Sequence, residues 1–190
     1  MKLFSPVRLA AIIVVLTCLS IGFHELGHFL TYALFGYRAR MSLQRVTPVG
    51  DIPVWIDHWA KFAGPAVSLV AATTLLFVAR GRHSFAWVTA SFTNASIRLF
   101  PCSMDLLRAI KGGRPFSDEG EVALAFTNSP IGRSGLILFV MSLSLVLTAF
   151  SAREYHFKKS PFIKSLLIYM LSLGVGVGVV ILDELLGWNN

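Results

Sequence analysis

Charge is what this 190-residue chain has least of. Only 14% of it is Asp, Glu, Lys or Arg, and only 10 residues are acidic. Soluble domains carry about 25% charged residues, so a soluble globular enzyme is a poor fit. Disorder is excluded as well, because 55% of the residues are hydrophobic and the mean hydropathy is +0.67, too apolar to stay solvated. Cysteine is nearly missing. Cys18 and Cys102 are the two present, and both lie inside apolar runs, which points to packed thiols and away from a disulfide framework. Histidine is scarce too, with five residues, of which His58, His83 and His156 form no cluster. That excludes the repeated histidine boxes of a membrane di-iron hydroxylase or desaturase. The net charge of +7 comes from Lys and Arg placed largely between apolar runs. A membrane protein distributes its basic residues in this way, and no nucleic-acid partner is expected.

What is present in quantity is long apolar sequence. About 20 apolar residues cross a bilayer core, and five stretches qualify or come close. They run from Leu9 to about Gly36, Trp59 to Val78, Phe85 to about Leu107, Leu136 to Phe150, and Ser165 to Leu186. The expected fold is therefore an all-α integral membrane protein of about five transmembrane helices, in contact with a lipid bilayer. It reads as a single transmembrane domain over 1–190, with a core of three spans at 9–108. A linker and two further spans fill 109–190. The basic N-terminal segment has no small-x-small cleavage pattern after it, so it is read as a retained span. Trp55, Trp59, Trp87 and Trp188 fall near span ends and read as interfacial anchors. The basic residues divide evenly between the two sides, so charge does not orient the chain.

Two connecting segments are more than turns. In 37–58, Met41, Leu43 and the Ile52–Ile56 run suggest two short strands, a small hairpin-like insertion between the first two spans. In 111–133, Ser117 followed by Asp118, Glu119 and Glu121 reads as the capped, acidic first turn of a surface helix.

The first span holds His24-Glu25-Leu26-Gly27-His28. Histidines at i and i+4 share a helical face, so both imidazoles reach one metal ion. Glu25 is then placed to act as general base on a water that the metal makes acidic. Ionised groups in an apolar span cost roughly 2–3 kcal/mol each, so a function is expected of them. A catalytic zinc takes three protein ligands and leaves one position open. The third span offers Asn94, Arg98 and Asp105, spaced by 4 and 7 and hence on one stripe of a continuous helix. Asp105 is the candidate third ligand, turned toward a cavity where Pro101 interrupts the helix. Its alternative is a surface pair with Arg108. Arg98 has three readings: neutralising Asp105, contacting a substrate carbonyl, or snorkelling. Glu184, in the last span, is a further ligand candidate, although Asp183-Glu184 also reads as an interfacial pair solvated by headgroups.

With these residues in view, the chain resembles the site-2 protease family of intramembrane zinc metalloproteases. There HExxH lies in one transmembrane helix and an Asp in a later one, within an N-x-x-P-x-x-x-L-D-G type motif, completes the site. The resemblance covers residues 9–108 and implies one Zn²⁺ per chain, with His24, His28 and Asp105 as ligands and Glu25 as catalytic base. Asn94 and Arg98 are the residues it offers for substrate binding. Phe62-Ala63-Gly64-Pro65-Ala66 is similar to the family's Gly-Pro segment. Met104-Asp105-Leu106 departs from it, standing where Leu-Asp-Gly is usual. The implied activity is hydrolysis of a peptide bond within or next to a transmembrane segment of a membrane-protein substrate, with the cell membrane as the expected location. A catalytically inactive adaptor of the same fold is the alternative.

Overall fold

The structure is a computed structural model that describes residues 6–82, 84–155 and 161–186; His83, His156 and Trp188 lie outside them. In chain order the elements are α1 (Pro6–Leu34), β1 (Ala39–Met41), β2 (Val46–Pro48), α2 (Val54–Arg82), α3 (Phe85–Ser96), α4 (Leu99–Ile110), α5 (Asp118–Phe126), α6 (Pro130–Glu154) and α7 (Pro161–Leu185). Four of these helices, α1, α2, α6 and α7, are long and apolar enough to cross a membrane. The fold is that of an all-α membrane protein with a two-stranded antiparallel sheet between its first two helices.

The third expected span is the exception. Phe85 to Leu107 is not one helix but two, α3 and α4, parted at Ile97 and Arg98. Pro101 explains the break: it has no N–H for the carbonyl of Ile97, four residues back, and its ring crowds that carbonyl. Ile97 and Arg98 nevertheless keep right-handed helical angles (φ −61°, ψ −25° and φ −74°, ψ −19°), and Arg98 and Asp105 both reach the first turn of α5, through Glu119 and through Ser117 and Gly120. The strand expectation also needs adjustment. The second strand is Val46–Pro48, and the Ile52–Ile56 run instead leads into α2, where the N–H groups of Ile56 and Asp57 donate to Pro53 O at 2.9 and 3.2 Å.

Helix α1 packs along α2, α2 along α3, and α6 covers both α3 and α4, while α7 lies against α1. Lipid is as apolar as leucine, so close packing and polar contacts, more than hydrophobicity, must join such helices. The interior accordingly holds many small and hydroxylated residues beside its apolar ones: Ser91 Oγ donates to Ala72 O at 2.8 Å and lies 2.7 Å from Ser151 Oγ. Large apolar side chains such as Phe77, Phe139 and Leu167 are left exposed on the outside.

Two left-handed glycines turn the chain back toward the centre of the molecule. Gly36 (φ 80°) ends α1, with Gly36 N–H donating to Ala33 O and Tyr37 N–H to Tyr32 O. Gly112 (φ 69°) ends α4 in the same way, with bonds to Ala109 O from its own N–H and to Arg108 O from Gly113 N–H. Both are Schellman closures, which need positive φ and so favour glycine. The first leads into the β hairpin and the second into α5, and both of these elements border the site.

Candidate metal centre

The HExxH segment lies in the second half of α1, where His24, Glu25 and His28 are all at least nine-tenths buried. One ligand atom from each lies within 4.8 Å of the other two. The imidazoles are fixed from behind by α2. His28 Nδ1 is 2.7 Å from Ala60 O, and His24 Nδ1 is 3.2 Å from Ser68 Oγ. A carbonyl only accepts, so His28 Nδ1 carries the proton and its Nε2 presents a bare lone pair. Arg98 Nη1, which only donates, is 3.4 Å from His24 Nε2, so that nitrogen is bare as well.

Helix α2 can come this close because of Gly64. A Cβ at Gly64 would lie 2.3 Å from His28 Nε2 and 2.8 Å from His24 Cε1. Gly27 does the same for the helix contact itself, its missing Cβ leaving room for Ala63 O at 2.8 Å. Thus the Gly-Pro segment noted in the sequence supplies the wall behind the two histidines.

The carboxylate placed against the imidazoles belongs to Asp118, not to Asp105. Asp118 Oδ2 is 3.1 Å from His24 Nε2 and 3.2 Å from His28 Nε2, and the two Nε2 atoms are 3.0 Å apart. Three electron-pair donors at such spacing repel one another unless a cation or protons lie between them. Zinc ligands at about 2.0 Å in a tetrahedral array stand about 3.3 Å apart, close to this triangle. The donor set of two neutral imidazoles and one carboxylate also suits that ion. As a ligand, the Asp118 carboxyl would be deprotonated.

Asp105 is buried elsewhere, at the start of α5. Its carboxylate accepts from the backbone N–H groups of Phe116 (2.5 Å), Ser117 (3.2 Å) and Gly120 (3.1 Å), and from the Ser117 hydroxyl. With both oxygens engaged there, it does not serve the histidines. The expected surface pair with Arg108 is also absent among the described ion pairs; Arg108 stacks over the Phe116 ring. Arg98 pairs with the buried Glu119 at 3.2 Å, which none of its three readings anticipated. Asn94 donates to Ala90 O one turn back. Glu184 is exposed at the far end of α7. Its neighbour Asp183 is fully buried, accepting from Ser42 Oγ (2.9 Å) and Leu43 N–H (3.2 Å) in the hairpin turn, so it is not solvated by headgroups.

Beside the centre is a cavity of about 320 Å³, lined by Glu25, His28 and Asp118 on one side and by residues 44–48 on the other. Tyr32, Asp57, Lys61 and Glu121 complete its wall. These four are linked: Tyr32 Oη donates to Asp57 at 2.6 Å, and Lys61 Nζ bridges Asp57 and Glu121 at 2.7 and 2.5 Å. Neither Asn94 nor Arg98 lines this cavity, so the residues expected to bind substrate are not on its surface. The hairpin is. Its register pairs Ala39 with Pro48, Arg40 with Thr47 and Met41 with Val46. Ser42 N–H donates to Arg45 O, and Val49 N–H donates to Arg38 O. By alternation along the ladder, the backbone groups of Val46 and the carbonyl of Pro48 point away from β1, leaving β2 with an edge that is free among the described residues.

No protein-family model, curated protein or solved structure matches the chain.

Proposed function

We propose that the protein is a zinc-dependent endopeptidase of the cell membrane, similar in its logic to site-2 proteases, that cuts a membrane-protein substrate within or next to a transmembrane segment. The observation that carries this reading is the convergence of His24 Nε2, His28 Nε2 and Asp118 Oδ2 beside Glu25, inside an apolar bundle and open to a cavity.

His24, His28 and Asp118 would hold one zinc ion, which supplies Lewis acidity toward a carbonyl and toward water. Glu25 lies next to His24 in sequence and on the cavity wall, placed to take a proton from the attacking water and pass it to the departing amine. A transmembrane substrate must first unwind, since a helix keeps its backbone groups bonded internally. The free edge of β2 offers an unwound segment new partners: the N–H and C=O of Val46 and the C=O of Pro48, in the manner of strand addition. The adaptor alternative draws on the irregular segment around Asp105, whose carboxylate is engaged by the start of α5, and Asp118 offers a carboxylate at the imidazoles in its place. The presence of Glu25 favours the enzyme, because a structural site has no use for a base.

The test is zinc per chain in detergent-purified protein, followed by cleavage of a transmembrane reporter. Wild type should hold about one zinc, His28→Ala and Asp118→Ala should lose it, and Glu25→Gln should keep it while losing at least 100-fold in cleavage rate. A wild-type protein that binds no zinc after reconstitution, or a Glu25→Gln variant that cleaves as fast as wild type, would refute the reading.

A further inference from the structure

Asp118 is carried by α5, a nine-residue helix outside the four long spans, so something must fix that helix relative to α1. We infer that Asp105 is the positioning residue that sets Asp118 against the two imidazoles; this rests on the metal-centre reading above. The first N–H groups of a helix have no partners within it, and a side chain at the N-cap normally takes them. Ser117 occupies that position but makes no capping bond. Its hydroxyl turns instead to Asp105 and to Glu119 Oε2. The cap comes from α4: Asp105, 1% exposed, accepts the N–H groups of Phe116, Ser117 and Gly120. These donors bracket Asp118 on both sides.

A local cap would fix only the end of α5, whereas a cap reaching across from α4 also fixes where that end stands in the bundle. Gly120 shows how tightly the parts fit. A Cβ there would lie 2.5 Å from Asp105 Cγ and within 2.6 Å of both carboxylate oxygens. Two further contacts hold the same helix from other directions: Arg98 on Glu119 and Lys61 on Glu121. Those two hold the first turn by side chains, whereas Asp105 holds it by the backbone N–H groups on either side of Asp118.

The experiment is titration of the detergent-purified full-length chain with Co²⁺, read by the visible ligand-field bands of the bound ion, for wild type, D118A, D105N and G120A. Binding should vanish in D118A. It should weaken about 10- to 100-fold in D105N and in G120A, the range for lost outer-shell support, with altered bands. The added Cβ overpacks the cap and the better helix propensity of Ala offsets only part of that, so G120A should lower the melting temperature modestly; the altered bands are what a purely structural role does not foresee. If D105N does not purify as folded protein, G120A decides. Affinities within twofold of wild type in the variants that fold would overturn the inference. So would a D105N protein that binds no cobalt beside a D118A protein that does, for then Asp105 is itself the ligand. A wild type that binds no cobalt at all defeats the metal-centre reading and this inference with it.

Discussion

Replacing Gly64 with Ala adds a single methyl group, and the structure says where it goes. Ala60, Gly64 and Ser68 lie four residues apart and so share one face of α2. The two imidazoles rest on that face, His28 against Ala60 O and His24 against Ser68 Oγ. The new Cβ would stand 2.3 Å from His28 Nε2, where ordinary contact begins at 3.4 Å. The ring must retreat by 3.4 − 2.3 = 1.1 Å, or α2 must move away by as much. Either motion exceeds the tolerance of about 0.2 Å on metal–ligand distances. It also strains the 2.7 Å bond to Ala60 O. Loss of outer-shell support alone weakens metal binding about 10- to 100-fold. A shifted ligand belongs at the upper end, about 100-fold or roughly 2.7 kcal/mol.

Overpacking costs about 1–3 kcal/mol of stability, partly offset by the roughly 0.5–1 kcal/mol that Ala gains over Gly within a helix. The melting temperature should therefore fall only modestly while zinc affinity collapses. Competition with a chromophoric chelator in detergent measures the affinity. Gly22→Ala is the control, since nothing lies within 4 Å of its Cβ position, and it should bind zinc as wild type does. If Gly64→Ala binds zinc within threefold of wild type, the histidines are not seated against α2 as described.

Val46→Pro removes an N–H on the free edge of β2 and spares the pairing with β1; a reporter assay should show KM rising about tenfold with zinc content unchanged, and unchanged KM would rule out edge pairing. Arg98→Met leaves the Glu119 carboxylate buried without its cation, which costs about 3–5 kcal/mol. A large fall in melting temperature is expected, with most of it recovered in the Arg98→Met/Glu119→Gln double variant; equal falls in both would show that the pair is not the cause. Asp183→Ala removes both bonds to the hairpin turn, each worth about 1.5–3 kcal/mol when one partner is charged. Trypsin should then cut after Arg45 at least tenfold faster, because cleavage follows the population of the opened segment; an unchanged rate would show that Asp183 does not hold the turn.

The parts of this molecule that were legible in the sequence are those where a periodic rule acts within one unbroken element. The apolar runs gave the four long helices, with ends displaced by a few residues. The i, i+4 spacing of His24 and His28 placed both imidazoles on one face because α1 is continuous from Pro6 to Leu34. The hairpin was expected from the residues of 37–58, but its second strand was put at Ile52–Ile56. Those β-branched residues turned out to serve the start of α2, with Ile56 buried against Tyr32 and Ala60.

The carboxylate that faces the two imidazoles fell outside the reach of such rules. The spacing of Arg98 and Asp105 did put them on one side of the third span, but that side meets the first turn of α5, where Arg98 pairs with Glu119 and Asp105 is engaged by Ser117 and Gly120, so the Asp105 carboxylate is not at the imidazoles. Asp118 is separated from His24 by 94 residues and sits in the acidic first turn of a short helix, where favourable interaction with the helix dipole already accounts for a carboxylate. No spacing rule connects it to α1. Its signal in the sequence was compositional: Asp118, Glu119 and Glu121 supply three of the chain's ten acids within four residues. In the fold these three divide their work, one facing the imidazoles, one Arg98 and one Lys61. An acidic cluster on a short element between spans is thus as good a place to look for a metal ligand as the spans themselves, because the bundle can draw that element in through cations on its own helices, as Arg98 and Lys61 do here.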